Sequence, residues 1–312
     1  MKLSIITINF NNVAGLQKTL ASVTAQTYRD IEHVIVDAAS SDGSVDIIKE
    51  YAEKADYPVS WISEKDKGVY AGMNKGIEIV LGRRVVNALN RSELVEDKNI
   101  GIKRATGDYI QILNSGDILT APDVTERMMA AMNDEMSRLR LNEPLTLNDG
   151  KIDILYGNMI KKDYTTGKII GKSREVEYSL RNYYSGTMNH DCCYIRRDLF
   201  DIYGLYDESL KIVSDWKWFL QAVGLGQVKP EYVDIDVTIF DASGISETNL
   251  ALRNQERQQV LDELLPPAVL ADYAKYTFPM EEYNRLKKYH LWGLAWFVER
   301  VFFKLEKWHI LR

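Results

Sequence analysis

The chain predicts an α/β fold: a sheet with helices on both faces, followed by a helical C-terminal extension. Two observations carry this. Apolar runs at 4–9, 34–37, 58–62 and 109–113 each stop at an acid, an amide or a turn, as buried strands do when they open into loops. Between the first two runs Leu16, Leu20 and Val23 recur at helical spacing, and Ile47, Ile48, Tyr51 and Ala55 do so after the turn Ser40-Ser41-Asp42-Gly43-Ser44. Right-handed crossovers between such strands make a parallel sheet. Ligands of open α/β sheets sit at the carboxyl ends of the strands, where these acids and amides fall.

The remaining elements follow in order. Residues 122–140 are helical and rich in Met and Arg, 152–158 read as a strand, and Thr165-Thr166-Gly167-Lys168 reads as a hairpin turn. A short helix near 197–203, a helix over about 214–223 and a strand at 232–240 come next. From 248 onward the pattern is helical, punctuated by Pro266-Pro267 and Pro279. The organisation expected is one domain over 1–245, interrupted by an inserted segment near 79–103, and the extension over 246–312. Asn74-Lys75-Gly76-Ile77 and Asn99-Ile100-Gly101-Ile102 form a near repeat around that insert, with no repeat architecture implied.

Composition removes several function classes. The chain has 312 residues, 46% of them hydrophobic, enough for one large core or two modest ones. A net charge of −6 argues against nucleic-acid binding, which needs a basic surface. The apolar run after Lys2 ends at Asn9, too short for a secretory leader, and no run approaches the ~18 apolar residues of a membrane span. Cys192 and Cys193 are adjacent and poorly placed to pair, so they read as small buried hydrophobes of a reducing, cytoplasmic compartment. Glycine patterns for dinucleotide or P-loop phosphate binding are missing, as is the serine elbow of α/β-hydrolases.

The acids and turns gain meaning from their order. Thr7-Ile8-Asn9-Phe10-Asn11 is followed by Asp37 with Ser41-Asp42-Gly43-Ser44, then by Ser63-Glu64-Lys65-Asp66-Lys67-Gly68-Val69-Tyr70 and Met73-Asn74-Lys75-Gly76. Ala105-Thr106-Gly107-Asp108-Tyr109, Leu113-Asn114-Ser115-Gly116-Asp117 and Ser214-Asp215-Trp216 complete the series. Each piece is weak alone. Together, over about residues 1–245, they resemble the inverting glycosyltransferases of family 2, which have the GT-A fold.

That resemblance implies roles. Asp215 matches the general base that takes the acceptor's hydroxyl proton opposite the leaving diphosphate, with Ser214 where family members usually carry Glu. Asp117 matches the ligand of a Mn²⁺ or Mg²⁺ ion that neutralises the diphosphate, while Gly116 replaces the acid that usually precedes it. Thr7, Asn9, Asp37, Asp66 and Asn74 match positions around the nucleotide-sugar, with Asp37 placed to accept a hydrogen bond from a uracil N–H. His190 matches the acceptor side, where Trp216 and Trp218 offer an aromatic platform to a sugar, with core packing the alternative for at least one of them. The implied donor is a nucleotide-diphosphate sugar, in particular a UDP-sugar. The implied acceptor is a saccharide or a polyprenyl-linked saccharide of cell-surface polysaccharide assembly. A nucleotide-sugar-binding pseudoenzyme or scaffold subunit is the rival reading, favoured by the acid lost at Gly116.

The end of the chain carries a separate signal. Residues 285–312 hold seven Lys or Arg against Glu299 and Glu306, a net +5, which leaves −11 on the rest. Leu291, Leu294, Ala295, Val298, Phe302 and Leu305 follow helical spacing, widened by Trp292, Trp296, Phe303 and Trp308. A basic helix rich in Trp and Phe is the pattern of an interfacial membrane binder. Peripheral contact with the anionic inner face of the cell membrane is therefore expected. A helix packed on the main domain or a homodimer contact is the alternative.

Overall fold

The computed structural model describes residues 1–86, 92–94, 106–142, 151–164, 166–241 and 249–275. Contacts divide the chain into two units, Met1–Arg257 and Gln258–Arg312. The first opens with β1 (Leu3–Asn9), α1 (Val13–Thr24), β2 (Ile31–Asp37), α2 (Ser44–Lys54), β3 (Val59–Ser63) and α3 (Val69–Val80). A small antiparallel pair, β4 (Arg84–Val86) and β5 (Ser92–Leu94), follows. Then come β6 (Tyr109–Ile112), β7 (Ile118–Leu119), α4 (Val124–Asn142), β8 (Ile154–Lys162), β9 (Ile169–Lys172), α5 (Leu180–Ser185) and β10 (Cys193–Arg196). Helices α6 (Leu199–Ile202) and α7 (Ser214–Phe219), strand β11 (Pro230–Asp241) and helix α8 (Leu250–Leu264) complete the series. In the second unit the described residues are the end of α8 and a helical run at 267–275. Most of the insert expected near 79–103 and the basic segment 285–312 lie outside the described residues.

One sheet carries the first unit, in the order β3-β2-β1-β6-β10-β8-β11-β7, with β9 paired to β8. Strands β3, β2, β1 and β6 run parallel. All seven residues of β2 are buried, as expected of a parallel strand covered on both faces. The fully parallel sheet expected from the sequence stops at β6. Strand β10 enters antiparallel to both β6 and β8, and β7 is antiparallel to β11. A tight turn at His190–Cys192 feeds directly into the four-residue β10. The hairpin expected around residue 166 joins β8 to β9, with Gly167 at φ 71° and the Asp163 N–H on the Lys168 carbonyl at 2.9 Å.

The position of α3 decides where the functional groups fall. Gly72 and Gly76, one turn apart, lie against β1. A Cβ added at Gly76 would meet Ile6 Cγ2 at 2.4 Å, and one at Gly72 would meet Ile8 Cγ2 at 3.4 Å. A side chain at Gly76 would press α3 off the sheet and carry Tyr70 away from its partners, whereas at Gly72 the contact is only tight. Helix α7 is fixed by aromatic packing: Trp216 Nε1 donates to the Tyr183 carbonyl at 2.7 Å and Trp218 Nε1 to the Gly204 carbonyl at 2.9 Å. The helix then widens into a π turn over Leu220–Gly224.

Two opposed effects meet at Gly76→Ala. Alanine gains ~1 kcal/mol of helix propensity, whereas forcing a methyl into a packed interface costs ~1–3 kcal/mol. A 2.4 Å approach to Ile6 lets the steric cost win. We expect a net loss of about 1 kcal/mol, read as a melting temperature lower by roughly 2–4 °C. An unchanged melting temperature would show that Ile6 yields and that the close approach is not required.

Candidate active site

The ends of β1 and β2, the start of α3, the turn after β6 and the segment leading into α7 enclose a cleft of about 840 Å³. Asn9, Asp66, Asp117, His190 and Asp215, five of the residues expected from the sequence, line it. Thr7, Asp37, Asn74 and Trp216 do not. Thr7 Oγ1 meets His33 Nε2 at 2.9 Å, within a buried chain that continues through Tyr51 to Tyr57. Asn74 pairs with the backbone of Tyr206 in both directions, at 2.9 and 3.0 Å, and so acts as a staple for the loop before Asp215. Trp216 is 2% exposed beneath the Arg257 guanidinium and presents no face to the cleft.

Asp37 sits directly behind the cleft wall. It is fully buried, and its carboxylate accepts from Asn9 Nδ2 at 2.8 Å, Ser40 Oγ at 2.6 Å, Ser40 N at 2.9 Å and Ser63 Oγ at 2.7 Å. Four donors match the roughly four lone-pair positions of a carboxylate. Its acceptor capacity is thus taken up by its own surroundings, where the sequence reading expected it to face a uracil N–H. The consequence is a fixed rim: Asn9, Phe10, Ala38 and Ala39 line the cleft in front of it. Ala39 holds a left-handed backbone at φ 57°, a conformation that costs a non-glycine residue energy and persists only where its surroundings impose it.

The turn carrying Asp117 is bolted to α1. Thr19 Oγ1 receives the Gly116 N–H at 2.9 Å and donates to the Asp117 carbonyl at 2.7 Å. Asn12, the N-cap of α1, accepts from Gly15 N and donates to the Ser115 carbonyl at 2.9 Å. Gly116 adopts φ 111°, which side-chain-bearing residues rarely reach, so this turn disfavours an acid at 116. Asp117 is 4% exposed, with Asn114 and Ser115 beside it in the lining. Among the described residues no cluster of three or more His, Cys, Asp or Glu is arranged to hold a metal alone. A hard cation needs less here, because Mg²⁺ binds through one or two carboxylates together with substrate phosphates. A single buried carboxylate beside hydroxyl and amide oxygens fits that donor set.

The densest chemistry surrounds Asp215. His190 Nδ1 lies 3.1 Å from Asp215 Oδ2, and the Tyr70 hydroxyl, 2.6 Å from the Ile212 carbonyl, reaches Asp215 Oδ1 at 2.9 Å. Burial opposes charge on His190, but hydrogen bonding and attraction from Asp215, aided by Asp191 and Asp117, raise its pKa to about 9. Burial likewise opposes charge on Asp215, and its partners His190 and Tyr70 outweigh this and lower its pKa. The pair is therefore ionic at neutral pH. His190 Nε2 faces the Asn114 amide at 3.2 Å. With the imidazole protonated, that amide presents its oxygen, which satisfies an otherwise unpartnered buried Asn114 Oδ1.

Three residues in this arrangement carried no role in the sequence reading. Tyr70 and Asn114 stood inside the quoted motifs, but nothing about their spacing announced contacts with residues 145 and 76 positions away. Glu256 had no signal at all; its carboxylate receives the Lys211 and Ile212 N–H groups at 2.8 and 2.9 Å and so anchors the segment before Asp215. Two exposed cations, Lys65 and Lys211, also line the cleft. Burial, above all, raises the pKa of Asp66 between them in the lining.

Comparison with known proteins agrees with this geometry. Residues 4–88 match the family described as Glycosyl transferase family 2. An uncharacterized glycosyltransferase of Mycobacterium tuberculosis is 27% identical over 248 residues, 78% of this chain and 76% of the relative. A PGL/p-HBAD biosynthesis glycosyltransferase of Mycobacterium bovis is 24% identical, covering 78% of this chain and 79% of its own. Among solved structures, S. aureus TarS 1–349 in complex with UDP-GlcNAc superposes with a TM-score of 0.57 at 17% identity, covering 94% of this chain and 78% of TarS 1–349. A mannosyltransferase from Pyrobaculum calidifontis in complex with GDP-Man and Mn²⁺ gives 0.54 at 14% identity, covering 84% of this chain and 63% of its own. The chain spans 61% of TarS 1–349 in another crystal structure and 42% of the longer TarS chain. The protein is thus a GT-A-fold chain whose first strands and helices, residues 4–88, match glycosyl transferase family 2.

Proposed function

We infer that the protein is an inverting glycosyltransferase that moves a monosaccharide from a nucleotide-diphosphate sugar to a hydroxyl of a saccharide or lipid-linked acceptor. The observation that carries this is the meeting of Asp215, His190 and Tyr70 with Asp117 in one cleft. The donor proposed is a UDP-sugar, by likeness to TarS bound to UDP-GlcNAc. A lipid-linked acceptor belongs to the same proposal, as an alternative to a saccharide.

In this reading the nucleotide lies along Asn9, Phe10 and Ala38–Ala39, with Asp37 holding that rim, and Asp66 faces the donor. Lys65 and Lys211 meet the diphosphate. Asp117 would hold Mn²⁺ or Mg²⁺, which when bound neutralises charge on the leaving diphosphate. Asp215 accepts the proton of the acceptor hydroxyl as that oxygen bonds to the anomeric carbon and the nucleoside diphosphate leaves from the opposite face. His190 keeps Asp215 ionised until then, and Tyr70 holds its other oxygen in place. Peripheral docking through 285–312 belongs to the same proposal.

Asp215→Asn keeps the shape and removes the base. Transfer should fall by on the order of 10²–10⁴ while UDP affinity stays nearly unchanged; turnover above about half of wild type would exclude Asp215 as the base. UDP binding followed by calorimetry should strengthen with Mn²⁺ or Mg²⁺, and Asp117→Ala should abolish that response. Equal affinity in EDTA would instead mark a metal-independent enzyme.

The ion pair itself can be titrated. His190 is raised from 6.5 to about 9, so the stabilisation it contributes is complete below pH 6.5 and disappears as pH rises through 9. The lowered pKa of Asp215 places the acid limit of the same stabilisation below the usual carboxylate range. NMR of the imidazole should show His190 titrating near 9. In Asp215→Asn only burial and the weaker acids remain, and the value should drop markedly. A His190 that titrates at its ordinary 6.5 in both proteins would contradict the ionic pair.

A further inference from the structure

The hairpin β8–β9 exposes apolar surface that the core does not use. Ile169 is 67% exposed and Ile170 55%, and Tyr178, in the connection that follows β9, is 50% exposed. Lysines flank the isoleucines in sequence: residues 161–172 contain four Lys against Asp163, with Glu175 and Glu177 further along before Tyr178. Lys172 is held by Asp236, while Lys18 and Lys162 gather at 4.6 and 5.2 Å over the Tyr164 ring, and Lys168 is exposed just before Ile169. The hairpin grows from the end of the sheet that opens the cleft, since Lys161 is in register with Phe240 and Phe240 lines the cleft.

We propose that this hairpin is a membrane-docking element that inserts Ile169 and Ile170 into the interface of an anionic lipid surface. Adjacent strand residues point to opposite faces, so the two isoleucines form no single flat patch for a protein partner, whereas a fluid interface receives both. Strand addition by another chain is also poorly served. Strand β9 is four residues long, its register with β8 shifts at Lys161–Lys162, and it ends in Lys172, features that guard a sheet edge against pairing. Exposed apolar side chains on a lysine-rich hairpin, with a tyrosine nearby, match the chemistry of an anionic headgroup layer. Docked in this way, the strand ends that open the cleft face the lipid. A hydroxyl carried on a lipid would then reach the cleft without leaving the membrane, an advantage that rests on the proposed transferase reading, although the docking does not.

The test uses the full chain. Cys192 and Cys193 are buried, so Ile169→Cys can be labelled selectively with an environment-sensitive fluorophore. The label should shift to the blue with phosphatidylcholine vesicles containing phosphatidylglycerol, less with phosphatidylcholine alone, and the shift should be reversed by salt. In co-sedimentation, the double variant Ile169→Ser/Ile170→Ser should lose binding to the anionic vesicles by on the order of tenfold. Its melting temperature should be unchanged, because both side chains are more than half exposed. Lys168→Glu, which leaves the apolar residues in place, should weaken binding in the same direction. Three results would overturn the proposal: no binding by the intact chain, equal binding by the double variant, which would assign the contact to 285–312, or a monomer–dimer change in the double variant with vesicle binding intact. None of these residues belongs to the proposed catalytic machinery, so failure of the docking would leave the transferase assays readable on their own.

Discussion

A half-buried carboxylate at the end of a long loop has to find donors, and Asp215 finds two that lie far from it in sequence. His190 comes from the turn before β10 and Tyr70 from the first turn of α3. Removing one partner of such a pair leaves the other poorly solvated or forces it to lose its charge, at a cost in either case. The arrangement therefore locks three segments that pack separately otherwise. It also couples them: a displacement of α3 is felt at Asp215, which is why the close approach of Gly72 and Gly76 to β1 matters for chemistry as well as stability.

The same logic holds on the far wall. Asp37 is buried at a strand end and has gathered Asn9, Ser40 and Ser63 around it. Asp42 does likewise for the starts of two helices, receiving Val13 N at 2.8 Å and the Ser44 hydroxyl at 2.7 Å. The acids at the carboxyl edge of the sheet thus divide by their partners. Asp37 and Asp42 are engaged by their own turns and hold the chain around the rim, whereas Asp66, Asp117 and Asp215 line the cleft.

That division explains what was legible beforehand. Strand ends and their acids could be read from apolar runs, because a parallel strand needs a continuous buried segment and its loop needs a polar stop. The strand ends pointed to one cleft, and the resemblance to the family supplied the five residues named in advance that line it. Which acid points inward did not, since Asp37 and Asp66 look alike in sequence and differ only in the donors supplied by Ser40 and Ser63. Trp216 illustrates the converse: an aromatic beside the candidate base suggests a sugar platform, but its N–H is satisfied by Tyr183 in the core. The antiparallel half of the sheet escaped because β10, which pairs with both β6 and β8, is a four-residue strand too short to show a pattern in the sequence. Glu256 escaped because its partners are backbone N–H groups, which leave no trace in a side-chain pattern.

The two histidines enclosed by the first unit make the point most sharply. His33 is buried between Thr7 and Tyr51 with no acid beside it, and burial alone lowers its pKa to about 3. It is neutral at any physiological pH and serves as a polar link within the core. His190 is enclosed as well, yet Asp215 at 3.1 Å carries it to about 9. Residue type does not separate the two; the carboxylate of Asp215, aided by Asp191 and Asp117, does. A carboxylate and an imidazole that each resist burial charge one another, and the charge stands where a cleft of about 840 Å³ can use it. The histidine beside an acid thereby lines the cleft, while the histidine without one serves as a neutral link in the core.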